Sequence, residues 1–463
     1  MDYDLIIIGS GPGGYVAAIR ASQLKMKVAV IERAELGGIC LNWGCIPTKS
    51  LLKSAQVFEY LTHASDYGIT IKGEVMPDFK AIVSRSRAVA DGMSKGIQFL
   101  FKKNNIVHIK GTGKLTGNNT IEVIDSDGNR KNYSSKNIML ATGARSKELP
   151  NLKQDGRKII GYREAMTLKV QPQSMIVVGS GAIGSEFANF FQSIGTNVSL
   201  IEFLPRLVPN EDEEVSKQLE RSFKKMKMKI MTDSLVESVD TTKAKCIATV
   251  KTPKGVEIIE ADIVLSAVGI SPNIEGIGIE SIGIKIEKGK VAVDDFYRTS
   301  ASGVFAIGDI VHGPALAHVA SAEGIICVEK IAGLDIEPLD YTNLPTCTYT
   351  NPEIASCGLT EAAARDAGYE IKVGKFPFTA SGKASAAGAK DGFVKLIFDA
   401  TYGELIGAHM IGANVTEMIG EIVVARKLET TAHEIIKSVH PHPTMSEAIM
   451  EAAAAAYGEV IHL

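Results

Sequence analysis

The chain has 463 residues, with 50 Lys and Arg against 53 Asp and Glu and a formal net charge of −3, a length that holds about two to four domains and buries an ample core. The balanced charge offers no basic stripe for nucleic acid and no polybasic run for a membrane surface, and no apolar stretch approaches the ~20 residues of a membrane span. Six cysteines argue against a disulfide-stapled secreted scaffold, and the Met1-Asp2-Tyr3-Asp4 start lacks the basic region of a signal peptide, so a soluble, cytoplasmic protein is expected.

Residues 4 to 32 read as one βαβ unit. Leu5-Ile6-Ile7-Ile8 is a buried parallel strand, Gly9-Ser10-Gly11-Pro12-Gly13-Gly14 supplies G-x-G-x-x-G, a helix follows from about 15 to 24, and Lys27 to Ile31 forms a second strand ending in Glu32. In such a loop Gly9 makes the tight turn, Gly11 lets a pyrophosphate approach the helix N-terminus, Gly14 permits helix-strand packing, and Glu32 accepts from a ribose hydroxyl.

Next come Cys40 and Cys45 in Gly-Gly-Ile-Cys-Leu-Asn-Trp-Gly-Cys-Ile-Pro-Thr-Lys-Ser-Leu-Leu, residues 37 to 52. In a regular α-helix their Cα atoms would lie roughly 8–9 Å apart, whereas a disulfide needs about 4.4–6.8 Å. Paired cysteines here therefore require a break in the helix. Pro47 suits the first turn of a helix starting just after it, which places both sulfurs near a helix N-terminus and favours a lowered thiol pKa. Two readings stand at this point, a reversible redox disulfide and two buried thiols. Trp43, the single tryptophan, lies between them, either as a reporter of their redox state or as ordinary packing.

Residues 55 to 68 and 78 to 103 read as packing helices, and 105 to 142 alternate as strands with turns at Gly117-Asn118-Asn119 and Asp127-Gly128. That stretch ends in Ala141-Thr142-Gly143-Ala144, which can lay backbone along a ligand or simply turn. The first pattern then returns: strand Ser174 to Val178, loop Gly179-Ser180-Gly181-Ala182-Ile183-Gly184, helix Ser185 to Ile194 and strand Asn197 to Ile201, ending in Glu202. The acid keeps the spacing of the first copy. Two such sites suit two different dinucleotides, and a carboxylate at Glu202, followed by Phe203 with no Arg before Arg206, favours NAD over NADP.

Glu211 to Lys225 reads as a helix, 229 to 268 as strands closing at Gly269, and 304 to 309 as a short strand ending in Gly308-Asp309. Asp309 suits a sugar-like hydroxyl, a turn or a helix cap alike. From about residue 343 the pattern changes to hairpin-like strands (Thr346 to Ser356, Gly392 to Asp399, Glu404 to Met410) with helices at 414–428 and 444–457, a domain suited to subunit contacts. It contains His440-Pro441-His442-Pro443-Thr444-Met445-Ser446-Glu447. A rigid His442–Glu447 pair is a candidate acid/base dyad or a capped surface histidine, with Ser446 or Thr444 capping the helix that carries Glu447. Cys246, Cys327, Cys347 and Cys357 lack zinc-ligand spacing and read as structural.

Together these residues resemble the pyridine nucleotide-disulfide oxidoreductases and, among them, the dihydrolipoamide dehydrogenase family, whose members serve 2-oxoacid dehydrogenase and glycine-cleavage complexes. The resemblance runs over nearly the whole chain and is most specific at Gly37–Leu52 and His440–Glu447. It implies an α/β fold with two Rossmann-like dinucleotide-binding domains plus a C-terminal α+β dimerisation domain. The expected division is an FAD-binding domain over 1–145, an NAD-binding domain over 146–271, a central part completing the FAD domain over 272–343, and the interface domain over 344–463.

The resemblance also assigns residues. Gly9, Gly11, Gly14 and Glu32 would hold FAD together with Lys49, Gly113, Thr142, Gly143, Asp309, Ala315, Leu316, Ala317 and His318. Gly179, Gly181, Gly184 and Glu202 would hold NAD, with Val236 and Gly269, and Glu186 would pair with Lys49 beside the flavin ring. Cys40 would exchange with the substrate sulfur while Cys45 faces the flavin, and His442, oriented by Glu447, would be the base acting in the partner subunit of a homodimer. The lipoyl group would arrive on another protein, a lipoylated acyltransferase or lipoyl carrier. One departure stands out: many relatives carry Gly-Arg-x-Pro-Asn where this chain has Gly269-Ile270-Ser271-Pro272-Asn273, so a guanidinium near the nucleotide is absent. Glutathione-type reductases draw on NADPH, against which Glu202-Phe203 argues, and mercuric reductases add a C-terminal cysteine pair that this chain lacks.

Overall fold

A computed structural model describes residues 1–463. The chain forms two compact units, each assembled from three stretches: Met1–Ser50, Ala81–Lys147 and Ile270–Tyr341 in one, and Leu51–Lys80, Glu148–Gly269 and Thr342–Leu463 in the other.

In the first unit the strand Tyr3–Ile8 lies between Val28–Glu32 and Arg130–Leu140, all parallel, with Val107–Lys110 beyond one side and Val304–Ala306 beyond the other. A parallel sheet covered on both faces needs a near-continuous apolar run, and Leu5, Ile6 and Ile7 are each 0 % exposed. One face packs Ile6, Ile8, Ile31 and Leu140 against Ile310 and Val311. The other packs Leu5, Ile7 and Val30 against Ala17 and Ala21 of the helix Pro12–Gln23 and Val328 of the helix Ala317–Ile331. These two helices lie in close contact because Gly13 and Gly324 face each other: a Cβ on Gly324 would come 2.7 Å from the Gly13 carbonyl oxygen. The outer half of Arg130–Leu140 turns antiparallel to Thr120–Ile124, which pairs with Thr112–Gly117.

The second unit repeats the parallel core. Its strands run in the order Lys229–Met231, Asn197–Ile201, Ser174–Val178, Ile263–Ser266 and Ile159–Ile160, with a three-stranded antiparallel sheet over Leu235–Asp240, Cys246–Thr252 and Gly255–Ala261. The C-terminal region forms a five-stranded antiparallel sheet ordered Pro345–Thr348, Glu353–Gly358, Leu405–Gly412, Phe393–Asp399 and Ile371–Pro377. One face carries the apolar core with the helices Val415–Lys427, Ala432–Lys437 and Glu447–Ala456. The last of these sits directly on its strand, since a Cβ on Gly374 would come 1.8 Å from the Ala452 carbonyl oxygen.

The opposite face is also buried, with a small apolar cluster of Ile397, Ile406 and Ala364 beside a polar row. Thr346, Ser356, His409 and Lys395 stand in register across four strands, met by the acidic start of the helix Glu213–Lys225, whose N-cap Asp212 accepts from the Glu214 amide. The Lys395 ammonium, 2 % exposed, lies 3.1 Å from Asp212, 2.9 Å from Glu214 and 2.8 Å from Glu361. Burial works against that cation, but hydrogen bonds to Glu361 and Glu214 and the charge of Asp212 outweigh it and hold the lysine above its ordinary range.

Several expected boundaries move, each for a local reason. The first helix begins at Pro12, whose missing amide suits that position. The helix expected from Glu211 begins at Glu213 because Asp212 caps it. The strand expected over 304–309 ends at Ala306, and Gly308, with φ +74°, turns the chain into a short 3-10 helix.

Removing one member of a buried ion cluster strands the others. Lys395→Met is expected to destabilise the protein by about 3–5 kcal/mol in chemical denaturation. The half-exposed Lys375→Met, which also faces Glu214, should cost less than about 1 kcal/mol.

Candidate active site

Gly37 and Gly38 start the dithiol segment at φ +99° and +61°, conformations that glycine adopts freely. A Cβ on Gly38 would lie 2.6 Å from the Gly11 Cα, so this segment rests on the first glycine loop, where the Gly37 amide donates to the Ser10 carbonyl at 3.1 Å. A short helix, Gly38–Trp43, carries Cys40. Gly44, at φ −143° and ψ −113°, breaks it, and a second helix, Cys45–Thr62, starts at Cys45 itself, with Pro47 in its first turn. Each cysteine therefore sits in the first turn of its own helix, and the two sulfurs reach each other.

Both side chains are half-buried thiols. A helix N-terminus is expected to lower both thiol pKa values, and for Cys40 the opposite holds. Its hydrogen bond to Cys45 raises it, burial and the Cys45 charge add to this, Lys49 opposes, and Asp309 adds a further upward push. Cys40 therefore holds its proton, in hydrogen-bond contact with the Cys45 sulfur.

Two arginines of the helix Phe79–Lys103 brace this pair of short helices, and no motif in the sequence announces them. Arg85 Nη1 donates to the Ser50 carbonyl and hydroxyl at 2.9 and 2.8 Å, and Arg87 Nη2 donates to the Asn42 carbonyl at 2.6 Å. The Arg87 guanidinium also stacks over the Trp43 ring at 4.2 Å.

The two glycine loops have the same construction. A Cβ on Gly14 would meet the Gly9 carbonyl oxygen at 2.0 Å, and one on Gly184 would meet the Gly179 oxygen at 1.9 Å. By contrast a Cβ on Gly11 or on Gly181 meets nothing within 4 Å, and these residues begin their helices without a side-chain cap. Each helix thus opens its first amides onto unfilled space, the geometry that suits a pyrophosphate. Glu32 accepts from the Ser10 amide and hydroxyl at 2.9 and 2.7 Å and from the Ala34 amide at 2.9 Å. Glu202 does the same with Ser180 at 2.7 and 2.8 Å and with the Leu204 amide at 2.9 Å. The residues present fit two dinucleotides.

Around the first loop, Gly113 is a buried position of the half-exposed strand Thr112–Gly117, facing Ile8 and Ile31. Thr142 and Gly143 are held by Asn273, a clamp not anticipated from sequence: its amide donates to the Gly143 carbonyl at 2.8 Å, its carbonyl accepts from Thr142 Oγ1 at 2.7 Å, and its Nδ2 donates to the Thr142 carbonyl at 3.0 Å. Asp309 has its carboxyl raised by burial, with Lys290 opposing. Next to it, Glu323 accepts from the Gly308 amide at 2.6 Å and the Tyr341 hydroxyl at 2.7 Å. Ala315 and Leu316 lead into the helix that begins Ala317-His318. In the second unit, Glu186 is buried and accepts from the Tyr349 amide at 3.0 Å. Gly269 turns at φ +113°, while the Val236 carbonyl is taken by Asn151 Nδ2 at 2.7 Å.

His442 is 79 % exposed, and its Nδ1 lies 2.9 Å from Glu447 Oε1. The Thr444 amide donates to Glu447 Oε2 at 2.8 Å, so both carboxylate oxygens are held. This corrects the expected capping. Neither Ser446 nor Thr444 caps the helix by its side chain, which begins only at Glu447, and the Thr444 hydroxyl donates instead to the Pro441 carbonyl at 2.8 Å. Burial alone would raise the Glu447 carboxyl, but the Thr444 amide, the His442 hydrogen bond and the charges of His442 and His440 hold it below the usual range. With Nδ1 donating to Glu447, Nε2 is left as the basic edge of the ring.

Residues 3–324 match the family pyridine nucleotide-disulphide oxidoreductase, and residues 344–453 match the dimerisation domain of the same family. The chain belongs to this family of NAD-dependent flavoprotein oxidoreductases. It is 48 % identical over 464 residues to a dihydrolipoyl dehydrogenase of Zymomonas mobilis, covering 99 % of each chain, and 48 % identical over 476 residues to one of Rhizobium etli, again covering 99 % of each. The solved structure of LpdA from Mycobacterium tuberculosis is similar at a TM-score of 0.90 and 27 % identity, over 97 % of this chain and 98 % of that one.

Glu323 offers a pH test. Burial raises its carboxyl from 4.5 to about 7, against the Tyr341 and Gly308 hydrogen bonds, and the Asp309 charge adds to the rise. The folded state therefore holds this proton more tightly, and the stability it contributes is full below pH 4.5 and lost as pH rises to about 7. Glu323→Gln is expected to flatten the thermal midpoint against pH across that window, and an unchanged slope would contradict the assignment.

Proposed function

We propose that this chain oxidises dihydrolipoamide, carried on a lipoylated acyltransferase or lipoyl carrier protein, to lipoamide with NAD+ as acceptor, working as a homodimer. The observation that carries the reading is the Cys40–Cys45 pair, brought into hydrogen-bond contact by the break at Gly44. The relatives named dihydrolipoyl dehydrogenase support it over the full length.

FAD would be held by Gly9, Gly11, Gly14 and Glu32, with Lys49, Gly113, Thr142, Gly143, Asp309 and residues 315–318, and when bound it supplies the electron relay between dithiol and nicotinamide. NAD would be held by Gly179, Gly181, Gly184 and Glu202, with Glu186, Val236 and Gly269 alongside. Glu202 is 7 % exposed and already fixed as an acceptor, a poor neighbour for a 2′-phosphate. Arg206, the nearest following guanidinium, is turned onto the Pro209 carbonyl at 3.0 Å. Both features favour NAD over NADP.

In the oxidised enzyme Cys40 and Cys45 form a disulfide. His442 of the second copy takes the proton from one substrate thiol, and the resulting thiolate attacks the Cys40 sulfur. The Cys40–Cys45 bond breaks, a mixed disulfide forms, and Cys45 leaves as a thiolate. The second substrate thiol gives up its proton, attacks the first substrate sulfur and closes the lipoyl ring, expelling Cys40. The substrate loses two electrons and two protons. The acceptor takes both electrons and one proton as hydride, and the other proton goes to solvent. Glu447 keeps the His442 ring oriented and supports the imidazolium that forms.

Cys40→Ser and Cys45→Ser are each expected to abolish dihydrolipoamide oxidation while FAD absorbance is retained. His442→Gln should lower turnover by about 10²–10⁴-fold, the range for a lost general base. Turnover retained in either cysteine variant would overturn the assignment.

A further inference from the structure

We propose that His440, carried as a standing imidazolium between Glu421 and the Ser438 carbonyl, is a positioning residue for the His442–Glu447 pair. The inference rests on the reading of that pair as the base. Its Nε2 lies 2.9 Å from Glu421 Oε1 and its Nδ1 lies 2.9 Å from the Ser438 carbonyl oxygen. A neutral imidazole has one N–H donor and one lone pair. A backbone carbonyl and a carboxylate both only accept, so a neutral ring would turn its lone pair onto one of these oxygens. Both contacts are hydrogen bonds only when both nitrogens carry protons.

Placement agrees with that. The His440 side chain is 7 % exposed, against 79 % for His442 two residues on. The charged groups that face it are Glu421 from the helix Val415–Lys427 and Glu447 from the helix Glu447–Ala456, and its own segment contributes the Ser438 carbonyl. The Glu421 hydrogen bond raises its pKa above the ordinary histidine value, burial opposes, and the Ser438 carbonyl and the charges of Glu421 and Glu447 add to the rise.

Two consequences reach His442. The first is mechanical: only Pro441 separates the two histidines, the Thr444 hydroxyl holds the Pro441 carbonyl, and the Thr444 amide holds Glu447. With His440 tied to Glu421, the turn bearing His442 is anchored on both sides. The second is electrostatic, because a fixed positive charge on His440 favours the Glu447 carboxylate that orients His442. Glu447 then stays ionised, and so able to orient the ring, to a lower pH than it would without that charge.

The test uses the FAD-loaded dimer, with FAD content checked in each variant. In protein labelled with ¹³C-histidine, the His440 ring should remain an imidazolium well above pH 6.5, the ordinary value, and Glu421→Gln should return its titration toward neutral pH. In the pH profile of kcat/KM for dihydrolipoamide, His440→Gln and Glu421→Gln should both move the acidic limb upward by about half a pH unit, the size of a water-screened charge effect. A His440 ring that titrates at or below pH 6.5, or an acidic limb unmoved in both variants, would overturn the proposal. His442→Gln with full turnover would instead remove the base assignment, and this inference with it, whatever the state of His440.

Discussion

The chemistry of this chain depends on one interrupted helix. Had residues 38 to 62 run as a single helix, Cys40 and Cys45 would stand roughly 8–9 Å apart on different faces. Gly44, at φ −143° and ψ −113°, ends one helix and lets the next begin at Cys45. The two sulfurs meet across that break in hydrogen-bond contact. Such a break would be free to flex if its surroundings were soft, and they are not. Gly37 and Gly38 lie against the first glycine loop, Arg87 covers Trp43, and Arg85 holds Ser50 at the start of the longer helix.

The same economy appears in the two glycine loops. Glu32 and Glu202 each close their loop through a serine amide and hydroxyl and through the amide two residues on. Each acid is thereby held in one orientation, and in the proposed role toward a ribose little of its side-chain entropy would remain to be lost on binding. In the second unit the buried Lys395 cluster plays a comparable part. It joins the start of the helix Glu213–Lys225 to the polar row on one face of the five-stranded sheet, while the other face carries the helix that begins at Glu447.

Much of the fold could be read from the chain because its constraints are local. The loops need glycine where a Cβ would strike the carbonyl of the turn, and Leu5–Ile8 and Ser174–Val178 are the apolar runs that a doubly covered parallel sheet requires. The dithiol break was likewise foreshadowed by the spacing of Cys40 and Cys45. What escaped were residues that act through partners far along the chain. Arg85, Arg87, Glu323 and Lys395 belong to no short motif, and each matters through a contact that only folding creates, while Asn273 stands in the Gly269–Asn273 motif but its clamp on Thr142 and Gly143 shows only in the fold. Cys40 departs from expectation for a related reason: the sequence shows the helix end, whereas the other sulfur and burial decide its proton. Ser446 and Thr444 were expected as caps because their type suits that place, yet Glu447 is occupied with His442 and the Thr444 amide.

The most direct measurement is initial-rate formation of NADH from NAD+ and dihydrolipoamide by the purified FAD-loaded protein, with NADP+ as alternative acceptor and with NADPH plus glutathione disulfide as a separate pair. Rapid NADH formation confined to dihydrolipoamide and NAD+ is the predicted result. Reduction of glutathione disulfide by NADPH, with dihydrolipoamide inert, would leave the cysteines their redox role but contradict the account of Glu202 and of the substrate.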